Sequence, residues 1–503
     1  MAHYGIIGAG ISGLTLAWKL KKQGHRVTIW ESGSTAGGVI GSVRENEWLA
    51  EIGPNSIQDS DSSVMELVES LGLSNQLLEA STTAKRRFIV RDKSPHLVPN
   101  SPVSALTTPL FSTGAKLGIL LEPFRSVGGP NNPKSKGNVS NQLKDDDLAT
   151  STDDHIIEFD ESLASFVDRR LGPEFLDYAI NPMVGGIYAG KPERLSVKHA
   201  FPKVFALEKE FGSLIKGAIG RILERKKSGQ TPHKKRVLSF KNGLGDLIDA
   251  LTKKLDTDLL LNQSVIKVVK NPDGSYEVTA RANKMTKLPN TPSTDGSLDP
   301  VGFTPPTVTN LFTVDKLVYA GTTWRLNEIQ FENITGLPDS YLPTLNYAPV
   351  ASVTLGYPIK NILHPLDGFG VLVPEVENMN ILGCLFTSSI FPGRAPAGHA
   401  TLTVFIGGMR NQDMTYLPDE KLLKLIYADL YQLLGIKENP VFVHIKRWRN
   451  AIPQYEMGFS AYLKRLDDIE MNNDGFHFIG NYRTGISLDA CIRHSWNWNS
   501  GRS

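Results

Sequence analysis

The sequence predicts an α/β fold in two domains, one of them discontinuous along the chain. Three observations predict it. Near the start, a short apolar strand, a glycine-rich turn, a helix and a second strand follow one another without a break. Segments of the same character return around residues 240–325 and again after about residue 445. The pieces between carry strand candidates mixed with Pro turns and helical runs, and these must form the second domain.

The elements follow in order. His3-Tyr4-Gly5-Ile6-Ile7 reads as a buried strand, and Gly8-Ala9-Gly10-Ile11-Ser12-Gly13 as the turn after it. Ile11, Leu14 and Trp18 fall at helical spacing, Gly24 ends that helix, and residues 26–30 form a second strand that stops on Glu31. Residues 64–73 read as a helix with Val64, Leu67, Val68 and Leu71 on one face, and 87–91 as a strand. Residues 163–180, 206–223 and 243–255 read as helices. Strands are expected at 265–269, 276–280, 316–320, 350–355, 370–373, 402–405, 441–446 and 476–480. Residues 128–154 and 287–307 hold few large apolar residues and read as flexible insertions.

Composition narrows the function classes. Hydrophobic residues make up 40% and charged residues 21% of 503, as in a soluble globular chain of more than one domain. Lys+Arg (54) nearly balances Asp+Glu (52), so no global field draws nucleic acid, and no base-reading motif is present. The two cysteines, Cys384 and Cys491, form no CxxC, which points to a reducing compartment. The histidines form no metal-ligand pair, so no metal is expected. No secretory or transit pattern opens the chain, and no apolar run approaches the roughly 18 residues of a membrane span. The expected location is the cytoplasm, with peripheral attachment to the cytoplasmic membrane face as the alternative.

The opening strand–turn–helix–strand unit is a dinucleotide-binding pattern. Gly8 permits the tight turn, Gly10 lets the backbone approach a pyrophosphate, and Gly13 lets helix and strand pack closely. The helix start offers free N–H groups to phosphates. Glu31, roughly 20 residues on, stands where a carboxylate can accept from a ribose. Ala36-Gly37-Gly38 and Gly53-Pro54-Asn55-Ser56 would let the chain pass close to a ribityl diphosphate and a flavin ring edge, which favours FAD over NAD(P). Near the end, Gly480-Asn481 and Gly485-Ile486-Ser487-Leu488 would aim a glycine turn and a helix start at the same cofactor, where N–H groups stabilise negative charge on a reduced ring. No second GxGxxG follows, so a dedicated NADPH domain is not expected, and the acceptor is oxygen or a quinone.

At this point the chain resembles the protoporphyrinogen oxidase family of monoamine-oxidase-like flavoproteins, over almost its whole length apart from the two insertions. The motifs are Leu171-Gly172-Pro173-Glu174, residues 181–190 with Gly185-Gly186, Leu195-Ser196, residues 368–374, Leu385-Phe386 with residues 391–396, and Arg447-Trp448 to Tyr455. The resemblance implies a two-domain flavoprotein. Its Rossmann-like FAD-binding domain would be 1–85, 236–330 and 445–503. A helical membrane-facing subdomain would be 86–127 and 155–235, and a mixed-sheet substrate domain 331–444. It implies one non-covalent FAD per chain, held by Gly8, Ala9, Gly10, Ile11, Ser12, Gly13, Glu31, Ser32, Gly37, Gly38, Gly53, Pro54, Asn55, Ser56, Val265, Asn481, Ile486, Ser487 and Leu488.

It also implies a reaction in heme biosynthesis, in which a porphyrinogen loses six electrons in three two-electron steps, with oxygen as the acceptor. Arg87 matches the arginine that pairs with a propionate, by a charge-assisted contact. Leu372 and Phe391 match the residues that sandwich the tetrapyrrole. Gly186, next to Gly185, matches a glycine whose carbonyl faces the macrocycle N–H groups, so the catalytic set is Gly186 and Arg87. No catalytic His or carboxylate stands out, in keeping with chemistry carried by the cofactor. Residues 101–124 and part of 200–222 match membrane-facing helices, with Lys116, Lys203, Lys209, Lys216 and Arg221 beside apolar residues. A homodimer and hand-off of the porphyrin to a ferrochelatase are further expectations of the resemblance. Gly321-Thr322-Thr323-Trp324 departs from the family's Pro-containing turn, and the last helix is expected to be short.

Three readings compete with protoporphyrinogen oxidation. Coproporphyrinogen III carries four propionates and would need more cations around the pocket. An amine or polyene oxidase on the same fold is disfavoured by residues 368–374 and 391–396. A porphyrin carrier or scaffold would bind FAD without turnover.

Overall fold

In His3-Tyr4-Gly5-Ile6-Ile7 the last four residues are buried without alternation, which suits a strand covered on both faces, and such strands pair in parallel. In the computed structural model, His3–Ile7 sits at the centre of a five-stranded parallel sheet. Its order is Leu259–Leu260, Arg26–Trp30, His3–Ile7, Lys316–Tyr319, Phe476–Phe478. The structure describes residues 1–128, 160–228, 235–283, 308–337, 342 and 345–499. The two expected insertions, Gly128 aside, lie outside the described residues.

The helix Ile11–Lys22 covers one face of this sheet and packs against Gly245–Leu255 and Leu488–Trp496. Leu14, Leu251 and Ile492 meet there with 0% exposure. Each such side chain stabilises the fold by about 1.5–3 kcal/mol through burial. The last helix is short, as expected, at nine residues.

A second, seven-stranded sheet runs in the order Phe442–Pro453, Tyr347–Pro358, His399–Gly407, Ile381–Leu385, Gly370–Leu372, Phe88–Arg91, Ser94–Leu97. Its pairs are antiparallel except Gly370–Leu372 with Phe88–Arg91, which is parallel. This moves two of the expected domain boundaries. Phe88–Arg91, assigned to the helical subdomain, and residues 445–453, assigned to the cofactor domain, both belong to this mixed sheet. Their partners are far away in sequence, and neither strand carries an alternation that names its partner.

A four-stranded sheet (Thr309–Val314, Tyr276–Ala282, Gln263–Lys270, Gln330–Glu332) and a three-stranded sheet (Ile57–Asp59, Arg236–Phe240, Leu77–Glu79) complete the larger framework.

The helical region differs from expectation at one joint. The single helix expected at 206–223 is two, Pro202–Phe211 and Leu214–Ser228. Gly212 takes φ +67 and ends the first. The second is capped by a buried carboxylate: Glu122 accepts from Ser213 Oγ (2.6 Å), Leu214 N (2.9 Å) and Ile215 N (3.2 Å), and pairs with Arg170. Beside it, Arg169 is bracketed by Glu161 (2.9 Å) and Glu208 (2.7 Å). The helix expected at 163–180 likewise breaks at Gly172, whose φ is +93.

Candidate active site

The glycine turn is built as its spacing requires. Gly8 has φ +105, and a Cβ there would meet the Ala320–Gly321 backbone at 3.0 Å. A Cβ on Gly13 would lie 2.1 Å from the Gly8 carbonyl oxygen. At Gly10, by contrast, a Cβ would meet nothing within 4 Å, so the turn is open on that side. Gly10 caps the helix without a side-chain hydrogen bond, leaving the first N–H groups for a ligand. Glu31 folds back onto this turn and accepts from Ala9 N (2.9 Å) and Gly33 N (2.7 Å). Ser32 Oγ accepts from Arg325 at 3.0 Å. Val265 is 8% exposed, two residues past Gln263, whose N–H donates to the Glu31 carbonyl at 2.8 Å.

The other expected cofactor segments converge here in part. Gly37 N donates to the Ala9 carbonyl at 2.8 Å, and Gly37 and Gly10 form a parallel bridge. A Cβ on Gly38 would sit 3.5 Å from Gly10 Cα. Gly53 is packed on Val39, whose carbonyl oxygen a Cβ would approach to 2.1 Å. Asn55 Nδ2 donates to the Gly53 carbonyl (3.1 Å), while its buried Oδ1 has no partner among the described residues. Pro54 and Ser56 are half-buried beside it. Ser12 and Cys491 are both buried where Leu488–Trp496 packs on Ile11–Lys22. Ser487 caps that last helix without a side-chain bond, Ile486 is half-buried, and the Asn481 carbonyl accepts from Tyr455 Oη. Two free helix starts, an open glycine and an orphaned amide oxygen fit a flavin dinucleotide.

The expected substrate residues gather at the end of the mixed sheet. Register places Val371 opposite Phe88 and Leu372 opposite Ile89, so Arg87 stands one step beyond the paired strands. Arg87 is exposed, with its guanidinium 5.3 Å above the Phe369 ring. Its neighbours are engaged: Arg86 pairs with Asp367, and Arg91 with Glu174 at 2.5 Å. Among the described residues Arg87 has no carboxylate partner. Gly186 is exposed, and a Cβ on it would lie 2.6 Å from Leu372 Cδ2. Phe391 differs from the others. It is 2% exposed, packed with Ala84 and Ile390 near Phe369, so a ligand would reach its ring face only after these neighbours move.

Sequence reasoning missed three groups. Arg410 backs the Gly185-Gly186 pair, donating to the Val373 carbonyl (2.8 Å) and to Asn181 O (3.0 Å) and Oδ1 (2.6 Å). Trp448, quoted in a motif but given no role, donates from Nε1 to the Ile52 carbonyl at 2.6 Å. Glu51 is 2% exposed, and burial pushes its carboxyl up to about 7, against the opposing pull of Ser42, Leu244 and Arg394. The available signal for Glu51 was a lone carboxylate after Trp48-Leu49-Ala50 and two residues before Gly53.

Residues 11–497 match the flavin-containing amine oxidoreductase family, and the chain belongs to that family of flavin-dependent oxidoreductases. Within it, the chain is similar along its whole length to porphyrinogen oxidases. It is 32% identical to protoporphyrinogen oxidase 2, chloroplastic/mitochondrial, of Arabidopsis thaliana, covering 97% of this chain and 91% of the relative. It is 32% identical to the mitochondrial protoporphyrinogen oxidase of Nicotiana tabacum (98% and 93%). It is 26% identical to coproporphyrinogen III oxidase of Bacillus subtilis (97% and 95%). In fold it is similar to a candidate protoporphyrinogen oxidase from Exiguobacterium, with TM-score 0.72 and 21% identity over 98% of this chain and 97% of that one. It is also similar in fold to putrescine oxidase (TM-score 0.60, 16% identity, 98% and 97%).

Proposed function

We propose that this protein oxidises protoporphyrinogen IX to protoporphyrin IX, using one non-covalently held FAD per chain and oxygen as the acceptor. The observation that carries the choice of substrate is Arg87. It is the one arginine of the 86–91 stretch without a carboxylate partner among the described residues. A single open arginine in this stretch, next to the Leu372 strand end, suits a macrocycle with two propionates better than one with four. Gly8–Gly13, Glu31 and the start of Leu488–Trp496 would hold the cofactor, which supplies the two-electron oxidant when bound. Gly186 lies in the last turn of Asn181–Ile187, where helix carbonyls lack intrahelical donors and carry the negative end of the dipole. Its carbonyl would accept a macrocycle N–H and help a proton leave without a titrating side chain. Leu372 would pack against the ring and exclude water.

The test is an anaerobic mixture of the yellow holoprotein with protoporphyrinogen, and separately with coproporphyrinogen, followed by oxygen. Loss of the flavin's visible band with protoporphyrinogen, then porphyrin fluorescence on aeration, is the expected result. Faster bleaching by coproporphyrinogen would move the protein to the four-propionate substrate, as the Bacillus subtilis relative's name allows. A bound flavin that neither substrate bleaches would leave only a carrier or another substrate class.

The same reading places the helices at 102–124 and 214–228 on a membrane surface. Phe124 is 84%, Val103 72%, Leu121 59% and Ile222 53% exposed, an apolar face that water does not favour. Among the described residues no helix is long and apolar enough to cross a bilayer. Replacing Leu121 and Phe124 by Ser is expected to weaken co-sedimentation with anionic vesicles by about tenfold or more, from lost apolar burial. Unchanged sedimentation would remove this face from the membrane.

A further inference from the structure

Arg394 belongs to the 391–396 motif, and the reaction as derived gives it no task. It is 1% exposed, and its guanidinium lies 5.5 Å over the Phe391 ring. Nη2 donates to Ser239 Oγ (2.7 Å) and to the Phe240 carbonyl (3.1 Å). Its buried Nε has no hydrogen-bond partner among the described residues, and the carboxylate facing it, Glu51, stands 3.7 Å from Nη2. Glu51 in turn holds Ser42 Oγ (2.6 Å) and Leu244 N (3.0 Å), and Ser42 Oγ takes Gly245 N (3.0 Å). Leu49 N donates to the Arg394 carbonyl at 3.2 Å.

The network therefore ties the cofactor-side hairpin of strands Ser42–Glu45 and Trp48–Glu51, which leads into Gly53, to the turn that carries Phe391. As a source of stability it is poor. The charges do not touch, and a buried pair is often matched by apolar groups of the same volume. As a ruler it is good, because a planar guanidinium lying over a ring and held by Ser239 and the Phe240 carbonyl allows few positions.

We infer that Arg394 and Glu51 are a positioning pair that sets the Phe391 ring relative to the cofactor-side hairpin, and so sets how that ring meets the tetrapyrrole opposite Leu372 once Ala84 and Ile390 give way. The inference rests on the proposed porphyrinogen reading. Arg394→Lys keeps the charge opposite Glu51 but loses the planar guanidinium over the ring and its forked donors. With flavin content and melting temperature close to the parent's, R394K is expected to bind protoporphyrin IX about tenfold more weakly by fluorescence titration. KM for protoporphyrinogen is expected to rise in parallel, with kcat changed less.

R394K that binds and turns over like the parent would overturn the inference. So would an affinity loss that only tracks loss of flavin and of thermal stability. A crystal structure of R394K reads the pair without substrate: a displaced Phe391 ring supports it, and an unmoved ring overturns it. If R394K does not fold, Arg394→Leu combined with Glu51→Gln removes both charges and carries the same readouts. Failure of the parent protein to bleach with either porphyrinogen would count against the substrate reading alone.

Discussion

Gly13→Ala is expected to give a protein almost without flavin. The new Cβ would lie 2.1 Å from the Gly8 carbonyl oxygen and 3.2 Å from Ala320 Cβ. Neither is the end of a flexible side chain. Gly8 has little room to retreat: its N–H is held by the Trp30 carbonyl at 2.8 Å, and the Ala320–Gly321 backbone lies 3.0 Å from where a Cβ would stand. The remaining relief is to push the start of Ile11–Lys22 away from the turn, which displaces the N–H groups offered to the pyrophosphate. Overpacking of this kind costs about 1–3 kcal/mol. Bound flavin per chain, read from the visible absorbance, should fall roughly tenfold or more, with the melting temperature also lowered. Gly10→Ala is the informative contrast. Among the described residues nothing beyond its chain neighbours lies within 4 Å of that Cβ, so the apoprotein should melt as the parent does while flavin binding falls. Full flavin occupancy in Gly10→Ala would show that the phosphates do not pass over this turn.

That contrast also shows what could be read in advance. The glycine turn was legible because its spacing within one strand–turn–helix–strand unit carries it: a Cβ on Gly13 would meet the Gly8 carbonyl five residues away, although the Ala320–Gly321 backbone that confines Gly8 lies far along the chain. Arg87, Gly186 and Leu372 came from a resemblance, and the structure brings them to one sheet end by pairing residues 88–89 with 371–372. Nothing in either segment names the other, so spacing alone could not have joined them. Arg410 and Glu51 were invisible for a related reason. A buried charge is recognised by what surrounds it, and their partners lie as far off as Asn181 and Leu244. The break at Gly212-Ser213 was the opposite case. A glycine followed by a capping serine was present in the sequence, and an apolar period running across it hid the joint.

The second large effect is expected at Gly186. A Cβ there would come within 2.6 Å of Leu372 Cδ2, the far end of a flexible side chain. The protein can therefore fold around Gly186→Ala by turning Leu372, and the turned leucine would occupy space the proposed site gives to the macrocycle. Flavin content should stay at the parent level, because the glycine turn is untouched. The value of kcat/KM for protoporphyrinogen should fall by roughly tenfold to a hundredfold, the equivalent of about 1–3 kcal/mol of overpacking. Leu372→Ala alone should also lose activity, by leaving the macrocycle loosely held. Combined with Gly186→Ala it should recover part of the loss, since two residues competing for one volume do not add. Gly185→Ala separates this from plain destabilisation. Its Cβ would meet Arg410 Nη2 at 2.8 Å, and that guanidinium is pinned by Asn181 and by the Val373 carbonyl, so it cannot yield. Gly185→Ala should therefore lower the melting temperature, whereas Gly186→Ala should mainly change substrate kinetics. If the double variant recovers nothing, Leu372 is not what the alanine displaces, and the Gly186–Leu372 wall of the proposed site must be redrawn.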